Sequence, residues 1–269
     1  MGFTGKVVVV TGGASGIGFA CCVEFLEKHA AGALVDFDEK TGERARDELC
    51  HLGGRVEFFH LDVSNAPEVE RVVAAIVAKL GRIDILVNSA GILRFATVTT
   101  CSEEEWDHVL GVNLKGAFLM SKYVIPEMTK GGGGSIVNVG SVQSVAAQRN
   151  SVHYVASKHG LLGLTRCTAL DYAKQNIRAN CVLPGAVDTP MLRWSASLDS
   201  EPARVLQACD RMHMRGKMGQ PQEVARVVAF LASDLASFVT GSAITVDGGL
   251  LVPAGGMGFQ ESGTGAVDV

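Results

Sequence analysis

The stretch VVVVTGGASGIG, Val7 to Gly18, decides how the rest of the chain is read. Four consecutive valines form a short β-branched run of the kind that suits a strand buried on both faces. Gly12, Gly16 and Gly18 follow at once, where a strand would turn into a helix. Glycine there permits positive φ and close backbone approach, and the opening helix offers free N–H groups and a positive dipole end. A pyrophosphate is what such a turn receives, which makes Gly12, Ser15, Gly16, Ile17 and Gly18 candidate ligand contacts. A glycine triplet alone is equally an ordinary turn. Its place at the first crossover favours binding.

Outward from this turn, strand-like runs alternate with helix-period stretches. The strands are Lys6–Thr11, Ala33–Asp36, Val56–Leu61, Ile83–Asn88, Ser135–Gly140, Arg178–Leu183 and Ala243–Val246. Helices are expected to about Ala30, through Leu49, over Pro67–Leu80, over Ser102–Met128 with its continuity in question near Gly111, over Val152–Lys174 and over Pro221–Ser233. Parallel crossovers need a helix and run right-handed. The prediction is therefore an α/β fold: a single-domain, Rossmann-type, doubly wound, seven-stranded parallel sheet with helices on both faces. Residues 1–250 make one dinucleotide-binding and catalytic domain, and the glycine-rich tail 251–269 is a free end or an arm on a neighbouring subunit. Residues of about 185–218 contain no strand and follow a strand's carboxyl end, where doubly wound sheets bind ligands. They read as a substrate-covering loop with one or two short helices.

Composition narrows the partners. Of 269 residues, 47% are hydrophobic and 19% charged, enough to bury a large core. The net charge of −4, with no basic block, gives no footprint for nucleic acid or an anionic membrane, so a small-molecule substrate is expected. The seven cysteines form no C-x-x-C pair and read as thiols in a reducing compartment, with neither zinc nor disulfides. The N-terminus lacks signal-peptide regions, Lys6 stands where a myristoylation signal wants Ser or Thr, and no apolar run spans a bilayer. A cytoplasmic enzyme is the expectation.

Asp36 ends the second strand, 18 residues beyond Gly18, close to the distance at which a carboxylate meets the adenosine ribose hydroxyls. It would repel a 2′-phosphate, and neighbouring Phe37, Ala14 and Ser15 supply no cation to receive one. NAD is the predicted cofactor; a helix cap is the plainer role for Asp36. Leu61–Asp62–Val63 and the segment NSAG, Asn88 to Gly91 with Ala90, end the third and fourth strands at the same edge. Asp62 could accept from the adenine amine and Gly91 could admit the nicotinamide ribose, a helix cap and a turn being the alternatives.

Tyr154 and Lys158, in YVASK, stand one helical turn apart and share a face. Ser141 lies 13 residues upstream at a strand end, so hydroxyl, phenol and ammonium can surround one substrate oxygen. Lowering a tyrosine from about 10 to roughly 7 requires on the order of 4 kcal/mol. One positive charge at about 4 Å, with an effective dielectric of about 20, supplies a comparable amount. The expected shift is shared between Lys158 and an oxidised nicotinamide.

Together these residues resemble the short-chain dehydrogenase/reductase family, in its compact soluble branch, over nearly the entire chain. TGGASGIG is similar to its cofactor turn, Asp62 to its adenine contact, NSAG to its NNAG, and Asn113 with Ser141, Tyr154 and Lys158 to its catalytic set. PGAVDTP, from Pro184 through Gly185, Val187 and Thr189, resembles its nicotinamide-contacting segment, and VDGG, Val246–Gly249, its final strand and turn. The resemblance implies that Tyr154 exchanges the alcohol proton while hydride passes to or from the nicotinamide. It implies that Ser141 positions the oxygen, that Lys158 lowers the tyrosine pKa and holds the ribose, and that Asn113 helps relay the proton. From its residue type, Asn113 reads as a helix irregularity. Ser89 in place of the second Asn of NNAG, and Gly140 before Ser141, depart from the pattern in small residues near the cofactor edge.

Leu93, Gln143, Arg149 and Trp194 are candidate substrate contacts, with Arg94, Gln148, Ser151 and His153 nearby. His153 points about 100° away from Tyr154 around a helix and reads as a capping or interface residue. Gln143 with Trp194 suggests a polyol, sugar, cyclic alcohol or hydroxysteroid-like secondary alcohol. Asp36 makes a 3-oxoacyl-type ketoreductase the lesser alternative. A non-catalytic NAD-binding sensor or scaffold would require Ser141, Tyr154 or Lys158 to be absent or displaced. The apolar helices 102–128 and 152–174 are expected to form a four-helix contact in a homotetramer.

Overall fold

The computed structural model describes residues 2–252. The tail is therefore described only at residues 251 and 252, and the expectation for its remainder lies outside the described residues. Seven parallel strands, β1 (Val7–Thr11), β2 (Ala31–Asp36), β3 (Arg55–His60), β4 (Ile85–Asn88), β5 (Gly134–Val139), β6 (Ile177–Pro184) and β7 (Ala243–Val246), lie in the order β3-β2-β1-β4-β5-β6-β7. The order reverses between β1 and β4, so a crevice opens at their carboxyl ends.

Each inner strand sends alternate residues to opposite layers, the period-2 consequence of the pleat. Val8 and Val10 join one core with α1 (Gly16–Leu26), α2 (Glu39–His51) and α9 (Pro221–Ala232). Val9 joins the other with α3 (Ala66–Leu80), α5 (Gly116–Lys130) and α6 (Val152–Tyr172). Ile85 and Val87 against Leu86, and Val137 and Val139 against Ile136, repeat the division. Each such burial contributes roughly 1.5–3 kcal/mol, so the sheet edge is a rigid platform.

Several boundaries differ from those read in the sequence. β4 starts at Ile85, not Ile83, because Asp84 is taken up as a clamp: its carboxylate accepts from Arg82, Lys6 and the Val7 N–H. β3 ends at His60, so Asp62 belongs to the following turn and accepts from the N–H and hydroxyl of Ser64. The helix expected over 102–128 is α4 (Glu103–Leu110), a π-helical turn Gly111–Lys115, and α5. The segment after β6 carries two helices, α7 (Pro190–Ser197) and α8 (Pro202–Arg211).

Candidate active site

The glycine turn is held by backbone geometry. Gly12 and Gly16 have φ of +65° and +54°, the left-handed region in which a side chain is strained. A Cβ on Gly18 would stand 2.0 Å from the Gly12 carbonyl oxygen, so helix and turn close on each other only without one. Ser15 makes no side-chain cap on α1 and no acidic residue lies in its first turn, which leaves first-turn amides of this helix for an anion. Ile17 anchors the turn against the core. Asp36 accepts the Ala14 N–H at 3.0 Å and the Asp38 N–H at 3.1 Å, while Asp38 caps α2, the role considered for Asp36. The groups present fit a nicotinamide dinucleotide: amides for phosphate, a carboxylate at the end of β2 to accept from hydroxyls.

Neighbouring strand ends close around this turn. Asn88 is buried and donates to Asn138 across the β4–β5 pair, and Gly12 packs so tightly on Ala90 that a Cβ would come within 2.8 Å of its Cα. Thr11, not singled out in the sequence, receives the N–H groups of Ser89 and Ala90 on its hydroxyl at 3.1 and 3.2 Å. Its place as the first letter of TGGASGIG was the available signal. Val63 packs on Gly116, and Phe37 is exposed beside His60. Thr189 caps α7 and reaches over the glycine turn, its methyl 3.3 Å from where a Gly16 Cβ would be.

Pro184 ends β6, Gly185 bonds back to Val246, and Val187 bridges Gly219. His213, also missed, holds this segment: its Nε2 accepts the Ala186 N–H at 3.1 Å while Nδ1 faces the Cys209 carbonyl at 2.8 Å. No local pattern marks it, since His213 lies 27 residues from its partner.

At the ends of β5 and α6, Ser141, Tyr154 and Lys158 meet. The Ser141 oxygen accepts the Gln143 N–H at 3.1 Å, which leaves its own proton to donate elsewhere. The Ser141 side chain is near enough to the Tyr154 phenol to oppose its upward push. Lys158 is buried, donates to the Val139 carbonyl at 2.8 Å and places Nζ 5.5 Å from the Tyr154 ring centre. Gly91 passes within 3.7 Å of that Nζ and 3.4 Å of the Asn113 Oδ1, measured from where its Cβ would be.

Desolvation sets the proton affinities in the protein alone. Burial pushes the Tyr154 phenol up to about 12, with the Ser141 hydrogen bond opposing, and Lys158 is not among its causes. Burial also brings Lys158 down to about 8. In the protein alone, desolvation outweighs the attraction that was to lower the tyrosine. Asn113 does sit in a helix irregularity, the π-helical turn. Its side chain is occupied, however: Oδ1 accepts the Ile92 N–H, and Nδ2 donates to the Ile92 carbonyl and to Ser157.

Around this point, Gln143 donates to Gln148 and has a buried Oε1 with no partner in the protein. Trp194 stacks on Phe95 at 6.5 Å between ring centres, with the Arg94 guanidinium 5.4 Å from its ring. Leu93 is half-buried and Arg149 exposed. Phe95 was missed because a lone aromatic after a polar residue carries no pattern.

Known proteins are similar to this chain in sequence and in fold. Residues 12–251 match the family described as enoyl-(acyl carrier protein) reductase. The 3-oxoacyl-(acyl-carrier-protein) reductase of Thermotoga maritima is 40% identical over 252 residues, covering 94% of this chain and 100% of its own. A cyclopentanol dehydrogenase of Comamonas sp. is 41% identical over 245 residues, 91% of this chain and 96% of its own. The ligand-free aldohexose dehydrogenase of Thermoplasma acidophilum superposes with a TM-score of 0.86 at 36% identity, over 94% of this chain and 96% of that one. This chain belongs to the short-chain dehydrogenase/reductase family, oxidoreductases that work with a nicotinamide cofactor.

Proposed function

We propose that the protein is an NAD-dependent dehydrogenase of secondary alcohols, with Tyr154 as its general acid/base. The observation that carries this reading is the meeting of Ser141, Tyr154 and Lys158 at the sheet edge that also bears the glycine turn and Asp36. Gly12, Ser15, Gly16, Ile17 and Gly18 hold the pyrophosphate; Asp36 and Phe37 flank the adenosine ribose. Asp62, Val63, Asn88, Ala90 and Gly91 line the adenine and ribose path, and Pro184, Gly185, Val187 and Thr189 cover the nicotinamide. When bound, NAD supplies the hydride acceptor and a positive charge beside the phenol.

Ser141 donates its free proton to the substrate oxygen and orients it. Tyr154 takes the alcohol proton in oxidation and returns it in reduction. With its phenol pushed up to about 12, Tyr154 in the protein alone is a proton donor, so base strength arises on loading. Lys158, positively charged below about 8, contributes attraction to the phenolate and a donor to the ribose. Asn113 ties the π-helical turn to Ile92, just after NSAG, through which it supports the proton path from Lys158.

The substrate is a cyclic or polyhydroxylated secondary alcohol. The flat Trp194–Phe95 wall suits an apolar ring face, and the unpartnered Gln143 Oε1 suits a second hydroxyl as donor. Relatives named for cyclopentanol and aldohexose agree with that choice. The 40% identical relative named for 3-oxoacyl-(acyl-carrier-protein) favours a second reading, a ketoreductase. Asp36 opposes the 2′-phosphate of NADP on that route.

We also propose a homotetramer joined through helices 102–128 and 152–174, where Phe118 and Leu170 stand 47% and 81% exposed. A monomer in sedimentation would contradict it. No described helix is long and apolar enough to cross a membrane. Free thiols at all seven cysteines favour a reducing compartment, which we take to be the cytoplasm. Reduced-nicotinamide formation from NAD and NADP, across cyclic alcohols, polyols, sugars and hydroxysteroids, tests the function with Tyr154→Phe as control.

A further inference from the structure

His153 stands in the first turn of α6, directly before Tyr154, and is 0% exposed. Its Nδ1 lies 2.9 Å from the Tyr154 backbone nitrogen, in line to receive that N–H. A backbone N–H can only donate, so Nδ1 carries a lone pair and the neutral ring holds its proton on Nε2. First-turn amides have no carbonyl within their own helix. The Asn150 carbonyl, four residues back, is engaged by the Ala96 N–H, and the Ser151 side chain makes no cap. The imidazole therefore satisfies the amide of Tyr154 itself.

We propose that His153 is a positioning residue: its neutral ring seats the Tyr154 peptide so that the phenol faces Ser141, and protonation of that ring at acid pH releases it. This rests on the reading of Tyr154 as the acid/base. Protonation would set an Nδ1 proton against the Tyr154 N–H, two donors face to face. Cys101, just before α4, and Glu105, in its first turn, lie with a His153 ring nitrogen inside a 4.8 Å cluster. Glu105 favours the charged ring, while burial, the larger effect, and Arg94 disfavour it, so the imidazole is held below the usual histidine range. It is neutral at neutral pH and the release falls on the acid side. Cysteine, glutamate and histidine are also a zinc donor set. A metal on Nε2 would need the ring proton on Nδ1, and the Tyr154 N–H occupies that place.

Ketone reduction with NADH isolates the effect, because Tyr154 acts there as the neutral phenol and Lys158 is charged, so neither gives an acid limb. The wild-type kcat should fall at acid pH while the cofactor KM holds. His153→Asn offers a carbonyl acceptor at every pH; it should keep kcat near neutrality within about twofold and lose the acid limb. His153→Leu should lower kcat about tenfold at all pH with the cofactor KM unchanged. Nitrogen NMR of the protein alone should find the ring proton on Nε2 at neutral pH. A proton on Nδ1, an unaltered acid limb in His153→Asn, or full kcat in His153→Leu would overturn the assignment. Turnover retained by Tyr154→Phe would instead overturn the reading of Tyr154.

Discussion

The adenosine side and the reacting side of the sheet edge are built by different means. Around β1, α1 and β2, backbone does the positioning: two glycines at positive φ, a third with no room for a Cβ, and a carboxylate fixed by two amides. Around β5, α6 and α7, side chains do it, through buried groups whose proton affinities are displaced in opposite directions. Backbone sites tolerate almost no substitution, whereas side-chain sites divide into groups that react and groups that only shape.

That contrast can be broken at several points. The largest effect is expected at Tyr154→Phe, which removes the transferable proton and should lower turnover by about 10²–10⁴-fold while NAD binding, followed by fluorescence, stays. Gly18→Ala should follow, since its Cβ would meet the Gly12 carbonyl at 2.0 Å. Overpacking of that kind costs about 1–3 kcal/mol, read as a lower Tm together with weaker NAD binding. Asp36→Ala should move the NAD-to-NADP ratio of kcat/KM by about tenfold or more toward NADP, with a small loss of Tm because the Ala14 and Asp38 N–H groups lose their acceptor. Trp194→Ala should be the mildest, raising the alcohol KM about three- to tenfold and leaving the NAD KM alone. If Trp194→Ala weakened NAD as strongly as Gly18→Ala, the two sides would not be separable.

The pH profile sharpens the same division. Tyr154 is raised to about 12 in the protein alone, so alcohol oxidation needs proton loss and should accelerate as pH rises; ketone reduction should not. An oxidation rate that falls as pH rises from the acid side to about 8, the range in which Lys158 keeps its charge, would remove Tyr154 as the base.

The adenosine side was the more legible in the sequence. Glycine spacing, a valine run and an acid at a strand end are local patterns, and they mark β1, the turn and Asp36. β4 was misplaced by two residues because Asp84 serves a clamp whose partners, Lys6 and the Val7 N–H, lie far off in sequence. Thr11, Phe95 and His213 were missed for the same reason: each acts through a contact that only the fold creates. The upward push on Tyr154 in the protein alone was not legible, because burial, its largest cause, cannot be read from the spacing of YVASK.

Reduced-nicotinamide formation from cyclopentanol-like and polyol substrates, with NAD and NADP side by side in wild type and Tyr154→Phe, tests the central claim most directly. Turnover that prefers NAD and vanishes in the variant is the predicted result. Turnover surviving in Tyr154→Phe, or activity confined to NADP and 3-oxoacyl thioesters, would contradict it.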